Sequence, residues 1–431
     1  MFKQTKFATV KDHTLYIDDV NALDLVKEYG TPLYVMSEGH IRNQFDDEKR
    51  MVEKYDNVLP LFASKSFSCK AIYKIAKEYP IGIDCVSAGE ISIALSAGFD
   101  PKKVFFHGNN KLYSEIEYAI SNGVENFVVD NFHEIDLIDE ICTKLNKKVK
   151  ATIRVVPGVK AGGHAFIQTA NKDAKFGFSG HDDTYFDAIQ KILDTKTMIF
   201  EGIHCHIGSQ VFDIHAYEEA MEKFVNFAYA IYDRFGIVIT KLNAGGGYGI
   251  YYTEEDKPID FDVITDRIMD IITKGFEAKG WERPTVLIEP GRYIVGNAGI
   301  TLYTTGSTKD IKGIRKYVAV DGGMTDNIRS ALYGAKYEAV LANKADYPKE
   351  EIVTIAGKNC ESGDILIKDI NLPKIEVGDI LAVFSTGAYH YSMSSNYNQL
   401  PKPAVVFTYQ GKSRLVIRRQ TFEDLIAYDV D

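Results

Sequence analysis

The chain has 431 residues, 45% hydrophobic and 26% charged, which describes a soluble globular protein too long for one ordinary core, so two domains are expected. A formal net charge of −10 argues against nucleic acid or an anionic membrane surface as the main partner, while leaving room for a local basic pocket that takes a phosphate. Cys69, Cys85, Cys142, Cys205 and Cys360 form no CxxC pair, and neither an apolar leader nor a membrane-length apolar run occurs, so a reducing, cytoplasmic location is expected.

In chain order, residues 8–18 alternate weakly and read as one strand. A helical pattern covers Ala22 to Tyr29, and Gly30-Thr31-Pro32 breaks the chain before the apolar strand Leu33-Tyr34-Val35. From residue 60 a rhythm sets in, in which short apolar strands end in polar or glycine residues and a helical pattern follows each. The strands are predicted at 60–65, 82–87, 104–108, 127–130, 151–157, 201–209, 241–247 and 285–291, with helices between them such as 90–97 and 114–121. Strands alternating with helices pair in parallel through right-handed crossovers, and this number of units over roughly 250 residues suits a closed α/β barrel of the (β/α)8, TIM-like type. A doubly wound open sheet is the alternative, and in both folds chemistry belongs at the carboxyl ends of the strands. After residue 300 the pattern changes to strands separated by turns, at 300–305, 317–320, 352–356, 365–368, 380–385, 404–409 and 414–418. That is a second, mainly antiparallel β domain. The expected division is an N-terminal segment (1–34) joining the β domain, a barrel (35–296) and the β domain itself (297–431).

The barrel strand ends carry the candidate chemistry. Lys65 falls between the apolar run Pro60–Ser64 and the helical face made by Ile72, Ile75, Ala76 and Tyr79. A lysine at a strand end can simply reach for water, but against apolar walls its ammonium form is disfavoured and the amine is freed to attack a carbonyl. Asp84 ends the second strand as a candidate site carboxylate, while Ser87 and Glu90 read as the capping box of the next helix. His204 and His206 share one strand face, yet no third ligand stands at a suitable spacing, so no metal site is expected. An imidazole there can instead stack on a flat ring, with Ser209 available to an anion. In Gly245-Gly246-Gly247-Tyr248-Gly249, backbone N–H groups can close on a phosphate, helped by the N-terminus of a helix expected to follow. Glu289 and Arg292 are either a surface ion pair or a carboxylate for a cationic ring nitrogen and a guanidinium for an anion. A lysine that forms an imine, a stacking histidine, a glycine cradle and a carboxylate for a ring nitrogen are the parts needed to hold pyridoxal 5′-phosphate.

With these residues in view, the chain resembles the fold-type III, pyridoxal-phosphate-dependent amino-acid decarboxylases, and among them the diaminopimelate decarboxylases. The resemblance runs from Gly30-Thr31-Pro32-Leu33-Tyr34 almost to the C-terminus. It is carried by FASK (62–65), DCVSAGE (84–90), FHGNNK (106–111), RVVPG (154–158), KFGF (175–178), HCHIGSQ (204–210) and GGGYG (245–249). EPGR (289–292), DGGMTDNIRSALYG (321–334), CESGD (360–364) and TGAYHYSMSSNYN (386–398) complete the set. It implies an alanine racemase-like barrel with a C-terminal β domain, working as a homodimer with shared active sites on meso-diaminopimelate. Lys65 resembles the Schiff-base lysine, His206 the ring-stacking histidine and Glu289 the partner of the pyridine nitrogen. Ser209, Gly246, Gly247, Arg292 and Tyr389 resemble cofactor contacts. Arg329 and Tyr333 match the pair that grips a substrate carboxylate, Cys360 the acid that protonates the product carbanion and Glu361 the reader of the distal amino group. Cys360 and Glu361 would come from the partner subunit, and Tyr389 would also lie near substrate. His390 departs from the usual glycine of that stretch, and Lys358-Asn359 precede CESGD. The alternatives are ornithine, arginine or carboxynorspermidine decarboxylases, whose first two substrates lack the distal carboxylate that Arg329 implies, alanine racemases, which lack CESGD, and a non-catalytic homologue.

Overall fold

The computed structural model describes residues 2–159 and 174–430, which fall into two compact units. The first is built from residues 45–249 and 257–291 and the second from residues 2–44, 250–256 and 292–430.

The first unit is a closed barrel. Its parallel strands, in chain order, are Val58–Ala63, Gly82–Cys85, Val104–Phe106, Asn126–Val129, Val149–Val156, Met198–His204, Lys241–Asn243 and Thr285–Ile288. Each pairs with the next, and the eighth returns to the first with Val286 opposite Val58 and Ile288 opposite Pro60. A strand covered on both faces reads as an apolar run rather than an alternation, as in the entirely buried Val104–Phe106. Leu61, Phe105 and Leu287 meet as one buried cluster, filling the interior with side chains from different strands. Helices start at side-chain caps: Ser87 accepts from the Glu90 N–H, Asn131 from Glu134 and Asp213 from His215. Glu90 departs from a simple capping box. Its carboxylate takes the Val86 N–H at 2.8 Å and the Ser64 hydroxyl at 2.5 Å, tying the first strand's end to the second helix.

The second unit centres on the long strand Gly299–Ile311, which pairs with Leu33–Ser37, Arg315–Val320 and Ile380–Phe384. Glu351–Ala356, Ile365–Leu372, Ala404–Tyr409 and Lys412–Ile417 extend the sheet, and Ala339–Leu341 adds a short strand unseen in the sequence pattern. Pairing is antiparallel except for Arg315–Val320 with Glu351–Ala356 and Leu33–Ser37 with Ala404–Tyr409. Residues 35–44, expected with the barrel, belong here because Leu33–Ser37 lies inside this sheet. So do Arg292 and the four residues after it. Residues 8–18 are not one strand but a hairpin, Ala8–Lys11 with Thr14–Ile17. Asp12 and His13 turn the chain at φ 48° and 64°, as a two-residue hairpin turn requires. Leu15, Ile17 and Leu25 pack with Leu33, Leu302 and Val406 in one core of this unit.

Candidate active site

In the barrel unit the candidate residues gather beyond the strands' carboxyl ends. The first strand stops at Ala63, and a single 3-10 turn, Ser64–Ser66, carries Lys65. Its Nζ lies 3.3 Å from Asp84 Oδ2, with the lysine side chain 37% exposed and the aspartate fully buried. Burial pushes the Asp84 carboxyl up to about 6 against the pull of Lys65.

Glu289 follows the eighth strand and is buried. Asn243 Nδ2 donates to its Oε1 at 2.7 Å, and His204 Nε2 lies 3.2 Å from Oε1 and 3.3 Å from Oε2. His107 Nε2 stands 3.3 Å from Oε1. Burial opposes ionisation of Glu289, but His204, His107 and Lys65 outweigh it and hold the carboxyl well below the usual carboxylate range.

The expected pairing of His204 with His206 is corrected by the structure. The sixth strand ends at His204, so the two imidazoles do not share a strand face. His204 meets the His107 ring edge-on at 5.0 Å, whereas His206 Nδ1 accepts the Gly246 N–H at 3.2 Å. That bond places the imidazole proton on Nε2, and burial holds His206 well below the ordinary histidine range, so the ring is neutral and fixed in orientation, as a stacking group must be. A third ligand-type residue does stand near His204: atoms of His107, His204 and Glu289 lie within 4.8 Å of one another. They arrive from the third, sixth and eighth strands, so no sequence spacing shows them. The signals for His107 were a polar residue directly behind the apolar strand Val104–Phe106 and its place in the FHGNNK match.

The glycine turn is built for close backbone approach. A Cβ on Gly246 would lie 2.3 Å from the Glu289 carbonyl oxygen, and one on Gly245, at φ 69°, would lie 2.2 Å from that of Cys205. The Gly247 carbonyl accepts from the Val211 N–H at 2.9 Å, fastening the turn to the loop that holds Ser209. The helix expected to follow at once does not; the next begins at Phe261. The glycine turn therefore lacks the dipole of a directly following helix, leaving backbone N–H groups as its means of meeting an anion.

The β unit holds the other candidates. Arg292 opens the short helix Arg292–Val295, is buried and donates to the Tyr252 hydroxyl. Its guanidinium carbon is 4.8 Å from the centre of the Tyr389 ring and 5.5 Å from that of Tyr252. Arg329 opens Arg329–Tyr333 and is also buried. Its Nε donates to the Tyr337 hydroxyl at 3.2 Å, and the rings of Tyr333, Tyr389 and Tyr252 surround it at 5.2, 5.6 and 5.8 Å. Among the described residues no carboxylate pairs with Arg329. Tyr389 reaches both guanidinium groups from a left-handed backbone, φ 64°, unusual for a bulky residue and typical of functional loops. His390 is buried, bonds the Ala388 carbonyl through Nδ1 at 2.9 Å and meets Tyr337 edge-on at 5.3 Å, so this departure from glycine props the tyrosine that holds Arg329.

Cys360 and Glu361 are exposed on the loop between Glu351–Ala356 and Ile365–Leu372. Asp364 staples that loop, accepting the Asn359 N–H and side-chain amide at 2.8 Å each and the Met324 N–H at 2.7 Å. A Cβ on Gly357 would strike its carboxylate, which accounts for glycine at that position. The Cys360 N–H donates to Asn398 Oδ1 at 2.8 Å.

A barrel whose strand ends present a lysine, a fixed neutral imidazole, a glycine turn and a buried carboxylate fits pyridoxal phosphate, and the comparisons with known proteins agree. Residues 38–296 match the family described as "Pyridoxal-dependent decarboxylase, pyridoxal binding domain". The diaminopimelate decarboxylase of Bacillus methanolicus is 46% identical over 97% of this chain and 97% of its own length, and that of Bacillus subtilis (strain 168) is 44% identical over 96% and 95%. Among solved structures, diaminopimelate decarboxylase from M. jannaschii in complex with L-lysine superposes with a TM-score of 0.93 at 34% identity, covering 100% of this chain and 99% of that one. The class is therefore a pyridoxal-phosphate-dependent carboxy-lyase. Within it, the chain belongs to the diaminopimelate decarboxylase family.

Proposed function

We propose that the protein releases CO2 from meso-diaminopimelate to give L-lysine, the last step of lysine biosynthesis. The observation that carries the substrate is Arg329, a buried cation ringed by tyrosines and paired with no carboxylate among the described residues. Such a guanidinium suits a substrate with a second carboxylate, and the relatives carry the name of that substrate. Bound pyridoxal phosphate supplies the sink for the electron pair that CO2 leaves behind.

In this reading Lys65 attaches the cofactor covalently, with Asp84 beside it. His206 stacks on the ring and Glu289 faces the ring nitrogen. Ser209, Gly246, Gly247, Arg292 and Tyr389 bind the phosphate and its surroundings. Arg329 and Tyr333, with Arg292 and Tyr389 nearby, grip the substrate's distal end. Cys360 returns a proton to Cα and Glu361 reads the distal amino group. Both are exposed on their own chain, which supports a homodimer in which they serve the partner's site and help exclude water from it. Free thiols at all five cysteines, and no helix among the described residues long and apolar enough to cross a membrane, support a cytoplasmic location. The test is CO2 release from meso-diaminopimelate compared with ornithine, arginine and lysine. The first should be turned over far better; equal turnover of ornithine would move the protein to the polyamine branch.

A further inference from the structure

Glu289 raises a problem that its assigned role does not solve. A carboxylate buried in a barrel interior loses its hydration, and the usual result is protonation. A protonated Glu289 could not hold a proton on a pyridine nitrogen. A buried lysine or arginine salt bridge would keep it ionised, but would also cancel its charge and compete with the ring nitrogen. The structure places two imidazoles and one amide against Glu289.

We propose that His107 and His204 are positioning residues that, with Asn243, hold Glu289 as an oriented carboxylate toward the pyridine nitrogen. The inference rests on the cofactor assignment and is independent of which amino acid is decarboxylated. The donors are divided between the two oxygens. Oε1 accepts from Asn243 at 2.7 Å and Oε2 pairs with His204 Nε2 at 3.3 Å, whereas His107 Nε2 stands 3.3 Å from Oε1 without a hydrogen bond to it. Each oxygen is held by one donor and keeps acceptor capacity, so the carboxylate is fixed in orientation and still available to a ring nitrogen. These groups are held in place in turn. Asn243 Oδ1 accepts the Gly245 N–H at 2.9 Å, which turns its NH2 group to Glu289 and ties the carboxylate to the glycine turn. The backbone N–H of His107 donates to the Cys85 carbonyl at 2.8 Å, locking the end of the third strand to the second, and the His107 ring rests edge-on against His204.

Burial keeps His107 neutral, well below the ordinary histidine range, so the ring beside Oε1 presents a dipole rather than a full charge. A neutral group stabilises the anion without cancelling it. His204 Nδ1 has no hydrogen bond among the described residues, which suits a bare lone-pair nitrogen with the proton on Nε2. The other charged groups acting on this cluster are Lys65, Asp84, Lys111 and Arg154. Asp84 Oδ1 is 3.7 Å from His107 Nε2, so His107 also stands between the carboxylate beside Lys65 and the one assigned to the ring nitrogen. A metal ion on His107, His204 and Glu289 is the competing use of the same atoms.

The test compares His107→Phe and His204→Phe, which keep a ring but remove its polar nitrogens, with His107→Gln and His204→Gln, which restore a polar N–H. Purified holoenzymes are titrated with pH while the visible absorbance of the lysine-bound cofactor is followed, and kcat and KM are measured separately. The phenylalanine variants should shift the midpoint or position of the absorbance band and lower kcat by about tenfold or more, with KM within about threefold of wild type. The glutamine variants should recover most of both. An unshifted spectrum and wild-type kcat in a folded phenylalanine variant overturns the proposal, as does glutamine no better than phenylalanine. Leucine replaces phenylalanine wherever circular dichroism shows that the variant has not folded. Stoichiometric metal in the wild type, with chelation reproducing the phenylalanine spectrum, assigns the cluster to a metal instead. A wild-type protein without lysine-bound cofactor absorbance rejects the cofactor assignment itself, whereas inactivity on meso-diaminopimelate with the spectral shift intact rejects only the substrate.

Discussion

The barrel unit and the β unit bury charge in opposite ways. In the barrel an anion, Glu289, is met by N–H donors from Asn243 and His204, with His107 Nε2 3.3 Å away. In the β unit two cations, Arg292 and Arg329, are met chiefly by tyrosine rings and hydroxyls. The difference is physical. Donors fix a carboxylate in one direction, because a hydrogen bond weakens steeply when misaligned. A ring face stabilises a guanidinium through its broad quadrupole and leaves N–H groups able to turn toward an incoming anion. The first arrangement suits a permanently held cofactor and the second an exchanging substrate.

The comparison can be broken most severely at Lys65, the proposed covalent anchor. Lys65→Ala should lower kcat/KM by about 10³-fold or more and abolish labelling by borohydride, which in wild type should fix the cofactor to the peptide containing Lys65. A labelled peptide elsewhere moves the anchor.

Arg329 tests the other half. Arg329→Ala should cut kcat/KM for meso-diaminopimelate by at least about tenfold, and Arg329→Lys should fall between it and wild type, because lysine keeps the charge but not the planar fork. Equal losses would mean that the tyrosines position a shape rather than a charge.

Cys360 tests whether the exposed loop serves a second chain. Lys65→Ala and Cys360→Ala are each inactive in the shared-site reading, but a mixed dimer has one whole site. After proven subunit exchange, an equal mixture should recover roughly a quarter of wild-type activity. Activity no higher than that of the separate variants would place Cys360 within its own chain's chemistry or outside the reaction.

A last test concerns stability rather than rate and asks when burial defeats hydrogen bonds. Asp326, in the β unit, accepts from the Tyr303 hydroxyl at 2.6 Å and the Gly323 N–H at 3.1 Å, yet burial pushes its carboxyl up to about 7. A folded-state value above the unfolded one means that the folded chain holds more protons across the window. Its contribution is therefore complete below about pH 4 and is lost as pH rises through about 7. Urea unfolding across that range should show wild type losing stability relative to Asp326→Asn, by on the order of 4 kcal/mol at most. A difference independent of pH would mean that Asp326 stays ionised, as Glu289 does.

Much was legible because it is local. Short apolar runs followed by helical periodicity located all the barrel strands, and Lys65 does sit on the turn between strand and helix. The helix start at Ser87 is chemistry within a few residues of itself. Other features needed the closed barrel. Glu90 reaches Ser64 only because the first and second strands are neighbours, and His107 reaches Glu289 only because the third and eighth strands face one interior. The same holds for His204 and His206, whose alternation implied a shared face until the strand ended between them. The rings around Arg329 come from residues 252, 333 and 389, a separation that no periodicity spans. Sequence determined the elements and the residue types at their ends, since propensity, capping and burial period act over a few residues. Tertiary structure alone decided which of those ends share a charge, since electrostatics depends on distance through space and not along the chain.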